Sequence, residues 1–170
     1  MFLFLGQAGV AIGAAAPQLQ PLVDVQWLAA HVDDENLVIV DIRSVDEDDE
    51  EVSFAEGHIP GSVHSGYSDG GWRTKRAGIV AQLPPVHDLE IYLGELGIKN
   101  SDTIVIVAAG TKPKDFAAAA WVYWTFNVLG HKQVSILNGG YRAWVHAQKK
   151  TVRGEEKPAW PSKFTADFQP

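Results

Sequence analysis

The 170-residue chain contains no cysteine. Disulfides, thiolate metal sites and thiol redox couples are therefore excluded. So is any reaction that this chain alone would run through a thiolate, which no hydroxyl or amine replaces in sulfur transfer. Positive charge is also scarce: 14 Lys and Arg stand against 21 Asp and Glu, a formal charge of −7. The basic stripe of a nucleic-acid binder is missing. No apolar run reads as a spanning helix in a mature chain. The histidines at 31, 58, 64, 87, 131 and 146 are scattered without ligand spacing, so no metal site is expected. No cofactor is expected either.

What is present suits one packed domain. Hydrophobic residues make up 46% of the chain and six are Trp, ample for a core at this length. Residues 1–16 (MFLFLGQAGVAIGAAA) are apolar and end in small residues, which resembles the later part of a secretory signal without its positive start. The expectation is export, in bacteria to the periplasm; the alternative is a hydrophobic segment packed on a cytoplasmic domain. Residues 17–150 then form the domain, and 151–170 a tail or inter-domain linker.

Along the chain, helical and strand patterns alternate. Leu22-Val23 reads as a short strand, and Asp24 as the N-cap of a helix over 25–32. Leu37 to Val40, Thr103 to Val107 and Val134 to Leu137 are apolar runs rich in β-branched residues, the mark of strands buried on both faces. The acidic run from Asp46 to Glu51 lacks the central Gly and closing Glu of a calcium loop and reads as a solvated loop. A short strand is expected near Ser62 to His64. Residues 66–85 read as a long ordered excursion with Trp72 buried. Val86, Leu89, Leu93 and Leu96 mark a helix ended by Gly97. Asp115 is expected to cap a helix over 116–129, and a last helix is expected over 141–148 with Trp144 inward. The alternation predicts an α/β fold with a mostly parallel central sheet. In such sheets ligands sit at the carboxyl ends of the strands, which directs attention to the loop after Val107.

Three segments, in order, carry a resemblance: Val40-Asp41-Ile42-Arg43, Gly57-His58-Ile59-Pro60-Gly61-Ser62-Val63, and Val134 to Trp144 (VSILNGGYRAW). Together they resemble the rhodanese family over roughly residues 22–148. The resemblance implies a three-layer α/β/α sandwich and thiosulfate sulfurtransferase chemistry. A cysteine after the central strand takes the outer sulfur of thiosulfate, releases sulfite, and passes its persulfide sulfur to cyanide or a thiol. Here the expected cysteine position lies near Ala109, and a methyl group attacks nothing. The stretch from Phe116 to His131 resembles the first half of tandem rhodaneses, where the first domain usually lacks the cysteine and the second carries it. The implied partner is thus a second rhodanese domain, in the same chain or a companion protein. The alternative is a stand-alone binding module for a sulfur oxyanion or a peptide.

Several residues have both a functional and a structural reading. Gly110, Thr111, Lys112 and Lys114 form a candidate anion loop at a helix start; the alternative is a solvated loop. Asp41 and Arg43 either brace the loops or meet a ligand. His58, beside Gly57, is a general base or a metal ligand or, more simply, bonds backbone in the turn. Gly61 serves the same turn. Arg73, Lys75 and Arg76 make a small basic cluster. Trp121, Tyr123, Trp124 and Phe126 place aromatics on more than one side of one helix, which suits packing against the sheet and against something else.

Overall fold

A computed structural model describes residues 19–44, 52–154 and 160–169. The apolar leader at 1–16, the acidic run at 46–51 and part of the polar tail lie outside the described residues. Five parallel strands form the central sheet: β1 (Leu22–Val23), β2 (Leu37–Asp41), β3 (Val63–His64), β6 (Thr103–Val107) and β7 (Val134–Leu137), in the order β1-β7-β6-β2-β3. The long pair runs Leu37↔Thr103 through Asp41↔Val107, so β2 and β6 end level.

Parallel strands need crossovers, and helices supply them on both faces. Alternation along β6 shows the division: Ile104 and Ile106 belong to one core cluster, Val105 and Val107 to the other. The first cluster is completed by Leu89 and Leu93 of α2 (Val86–Glu95) and by Ala119, Val122 and Phe126 of α3 (Pro113–Val128). The second is completed by Val25 and Leu28 of α1 (Val25–His31) and by Tyr141 and Trp144 of α4 (Gly140–His146). The result is an α/β fold with a parallel sheet, as the alternation predicts, in the three-layer form that the resemblance implies. Each large apolar side chain buried this way contributes on the order of 1.5–3 kcal/mol.

The helix ends follow local chemistry, with one correction. Asp24 caps α1 by accepting from Trp27 N at 2.7 Å. Gly97, at φ +80°, follows the C-cap of α2, as its sequence position predicts. Asp115 is not the N-cap of α3. The helix begins at Pro113, a residue that tolerates the first turn because its missing N–H has no intrahelical partner there, and Lys112 is the N-cap. Asp115 lies in that first turn and reaches back to the loop.

The excursion after Gly66 is ordered through Trp72, which is fully buried and donates from Nε1 to Ser65 O at 3.0 Å. It also contains a hairpin, β4 (Thr74–Arg76) and β5 (Ile79–Gln82), which the sequence pattern does not announce. Ala77 and Gly78 turn between Arg76 and Ile79, both at positive φ. Hairpin turns of two residues demand that conformation, and Asn-Gly is its usual signature; Ala-Gly hides it.

Candidate functional site at the strand ends

The carboxyl ends of β2 and β6 lie side by side and open toward α4. Asp41 closes β2 with no exposed surface, and Arg43 follows it, 5% exposed. Arg43 Nε donates to Asp41 Oδ1 at 2.9 Å and Nη2 to Oδ2 at 2.7 Å, a bidentate pair. The same guanidinium donates from Nη1 to Val52 O at 2.9 Å and from Nη2 to Gly57 O at 2.8 Å. Its face lies 3.8 Å from the centroid of the Tyr141 ring. The pair therefore ties the β2 end to the 52–57 segment and to α4. Burial pushes the Tyr141 phenol up from its ordinary value, with the Arg43 charge pulling the other way.

His58 and Gly61 shape the neighbouring turn. His58 is fully buried, its Nδ1–H donates to Phe54 O at 2.9 Å, and its ring stacks on Phe54 at 3.9 Å. Its backbone also exchanges two hydrogen bonds with Val152, each 3.0 Å. Gly61 sits at φ +74° with open space where a Cβ would stand, so it is needed for its backbone angle alone. The Ser62 hydroxyl donates to Ile59 O at 2.7 Å and closes the turn.

The loop after β6 starts with Ala108 and Ala109, 6% and 7% exposed. It is clamped by the turn before α4: Tyr141 N donates to Ala108 O at 2.8 Å and Arg142 N to Ala109 O at 3.0 Å. The approach is so close that a Cβ on Gly110 would lie 2.0 Å from Gly139 O. The rest of the loop turns inward. Asp115 Oδ2 accepts from Thr111 N at 2.8 Å, from Thr111 Oγ1 at 3.1 Å and from Lys112 N at 2.8 Å. Two of the loop amides that could face an external anion thus face the chain's own carboxylate. Lys112 and Lys114 flank Pro113 on the exposed side of the loop.

Ala109 sits in the wall of a cleft of about 210 Å³, with Arg43, Thr111, Tyr141, Arg142 and His146 among its lining. Arg142 and His146 lie four residues apart on α4 and form one rim. A second cleft of about 230 Å³ lies across the loop, between Lys112, Phe116 and the Gly139-Gly140 turn. Among the described residues no group of His, Asp and Glu is placed to hold a metal ion, and no helix is long and apolar enough to cross a membrane. Sequence reasoning missed Tyr141, Arg142 and His146 as cleft residues and the inward turn of Asp115. The first three follow from the Asn138-Gly139-Gly140 turn, which delivers α4 to the strand ends. The last had a signal in the spacing, since a carboxylate in the first helical turn reaches back to the residues just before it.

Comparison with known proteins fits this geometry. The profile of the rhodanese-like domain matches residues 24–147. The chain belongs to the rhodanese family. It is 35% identical over 115 residues to the thiosulfate sulfurtransferase of Gallus gallus, covering 67% of this chain and 38% of that protein. It is 26% identical over 150 residues to the sulfur carrier protein TtuD of Thermus thermophilus, covering 88% of this chain and 47% of that protein. Among solved structures, SseA from Escherichia coli, described with the rhodanese fold of 3-mercaptopyruvate sulfotransferases, superposes with a TM-score of 0.73 at 24% identity, covering 89% of this chain and 57% of that one. The chain thus spans less than half the length of these two curated relatives. The rhodanese fold is as expected; the cysteine at the loop is not there.

Proposed function

We propose that this rhodanese domain is the non-catalytic half of a sulfurtransferase pair, supporting a second, cysteine-bearing rhodanese domain through packing and cleft shaping. The observation that carries the reading is the β6 loop: a methyl group stands at Ala109, and the Thr111 and Lys112 amides are taken by Asp115 rather than turned toward a sulfur. The lengths of the curated relatives, more than twice the matched region, favour a partner half of similar size. A face for it is available on α3. Phe116 and Trp124, 57% and 45% exposed, lie two turns apart on one side, with Ala120 between them.

The test is a thiosulfate:cyanide assay on the isolated chain and on the chain mixed with a cysteine-bearing rhodanese domain encoded beside it. No turnover above buffer is expected from the chain alone, with a rise in the partner's rate on mixing. Turnover by the chain alone overturns the reading. The F116A/W124A double substitution is expected to weaken the pairing about tenfold or more, as for a central aromatic pair.

A second reading is a stand-alone binding module, and the cleft beside Ala109 with Arg142 and His146 on its rim favours it. Its ligand is a small sulfur oxyanion or a peptide carboxylate. Calorimetric titration with thiosulfate and with sulfate separates the two readings: heat at micromolar ligand supports a binding module, and silence supports the scaffold. Export to the periplasm belongs to the same proposal. It is supported by the apolar run at 1–16 and by the absence of cysteine, and N-terminal sequencing of the mature protein tests it.

A further inference from the structure

The residues from Ser162 to Gln169 form a strap across the face made by α2 and α3, far from the strand ends. Ser162 N donates to Gly94 O at 2.8 Å and its hydroxyl to Ile98 O at 2.6 Å. Asn100 pairs with Thr165 in both directions, at 2.7 and 2.9 Å. Ala166 N reaches Glu90 Oε1 at 2.8 Å, Asp167 N reaches Leu129 O at 2.9 Å, and Gln169 N reaches Val128 O at 2.7 Å. The fit depends on two glycines. A Cβ on Gly94 would lie 2.6 Å from Ser162 O, and one on Gly130 would lie 2.3 Å from Asp167 O. Phe164, 3% exposed, is the strap's apolar anchor in the core cluster.

Beneath that anchor sits a titratable ring. His131 follows Gly130 and is 5% exposed. Its ring lies between Phe126 and Phe164, with centroids at 5.6 and 5.9 Å. Its Nε2 is buried without a hydrogen-bond partner. A neutral imidazole tolerates this place, because its apolar body meets two phenyl rings. An imidazolium does not: it must desolvate a full charge and leave a charged N–H unsatisfied.

We propose that His131 is a proton-operated latch: when the ring takes up a second proton, the strap over residues 162–169 releases from the α2–α3 face. Burial holds the His131 pKa below its ordinary value, partly offset by the Asp102 carboxylate and by the backbone of Gln133 and Asp102. The docked state therefore binds fewer protons than the released state. Docking is fully favoured above the ordinary histidine pKa of about 6.5, and weakens as pH falls through it toward the lowered docked value. The other charged groups on the packed elements are Asp88, Glu95, and Glu90 with its exposed neighbour His87, 3.7 Å apart, on α2, Lys114 and Asp115 at the far start of α3, Asp102 and Lys99 in the turn before β6, Lys132 after α3, and Lys163 and Asp167 on the strap itself. Among the histidines here, His131 alone is buried beneath the strap.

The test is amide hydrogen exchange in the full chain, read as protection factors at Ser162, Asp167 and Gln169 so that the intrinsic pH dependence divides out. Between about pH 8 and pH 5 these factors are expected to fall, approaching tenfold for each unit by which docking lowers the His131 pKa. Amides at the centre of β6 are expected to keep theirs. The H131F variant, which keeps an aromatic body and cannot titrate, is expected to hold its strap protection flat with pH, whereas H87A keeps the native fall. Flat protection in the native chain overturns the latch, as does an equal fall in H131F. The ring resonances of the native chain give an independent reading that needs no variant: titration of His131 at or above the ordinary value also overturns it.

Discussion

Two neighbouring strands end at the same level of the sheet, and their ends are built in opposite ways. β2 ends in a buried ion pair, with Asp41 and Arg43 bonded to each other and the guanidinium bonded onward to Val52, Gly57 and the Tyr141 face. β6 ends in small side chains, Ala108, Ala109 and Gly110, held by backbone bonds from Tyr141 and Arg142. Both ends are well defined, but only the first is defined by side-chain chemistry. Scaffold and reaction are thus separable on this sheet. The brace that holds the loops around the strand ends is intact while the position near Ala109 carries no nucleophile.

The sharpest way to break the comparison is to remove one partner of the brace. R43M leaves the Asp41 carboxylate buried and uncompensated, and also frees two carbonyls. A loss of about 3–5 kcal/mol is expected, the usual cost of breaking a buried pair from one side. Denaturant unfolding measures it. D41L/R43M, which removes both charges, is expected to lose clearly less than R43M alone, because no orphan charge remains. If the two variants lose equally, the ion pair is not what holds the β2 end.

Glycines sharpen the contrast at the β6 end. Gly110 combines φ +78° with a would-be Cβ contact of 2.0 Å to Gly139 O, whereas Gly61 has φ +74° and open space. Alanine at 61 meets only the left-handed backbone penalty, about 1–2 kcal/mol. Alanine at 110 must also push the Gly139 turn away, and a loss of roughly 3 kcal/mol is expected. Thermal unfolding of the two variants ranks them; equal losses would mean that the clamp between the loop and α4 is loose.

How much of this was legible in the sequence divides along similar lines. The strands announced themselves because burial on both faces demands continuous apolar runs, as in Thr103 to Val107, and the helices because one face repeats, as in Val86, Leu89 and Leu93. The segments around Asp41-Ile42-Arg43 and Gly57 to Val63 were enough to bring the rhodanese family into view. The hairpin over 74–82 was hidden because its turn is Ala77-Gly78 and its apolar residues, Ile79 and Val80, are exposed rather than alternating. The start of α3 was displaced because Asp115 looks like an N-cap in sequence, while the helix starts at Pro113, three residues before the expected 116. Of the cleft beside Ala109, the Arg43, Ala109 and Thr111 side was legible, and the α4 side was not. Tyr141, Arg142 and His146 reach it only through the sheet order, which places β7 beside β6 and hands α4 to the strand ends.

The smallest expected effect tests whether the missing thiol is the only thing missing. A109C is nearly isosteric with the native side chain, and a stability change within about 1 kcal/mol is expected. A thiol placed there finds the Thr111 and Lys112 amides already bonded to Asp115. Those donors are not offered to a thiolate, so its pKa is expected to remain near the free value of about 8.5. The rate of alkylation against pH measures it, and thiosulfate:cyanide turnover is expected to stay weak. Adding D115N removes the negative charge and leaves a neutral, weaker acceptor, so the Thr111 and Lys112 amides are held less firmly and a thiolate competes for them. The thiol pKa in A109C/D115N is then expected to fall relative to A109C. A low thiol pKa and vigorous turnover in A109C alone would show instead that the loop is already shaped for persulfide and that the methyl of Ala109 is the whole difference between this domain and an active one.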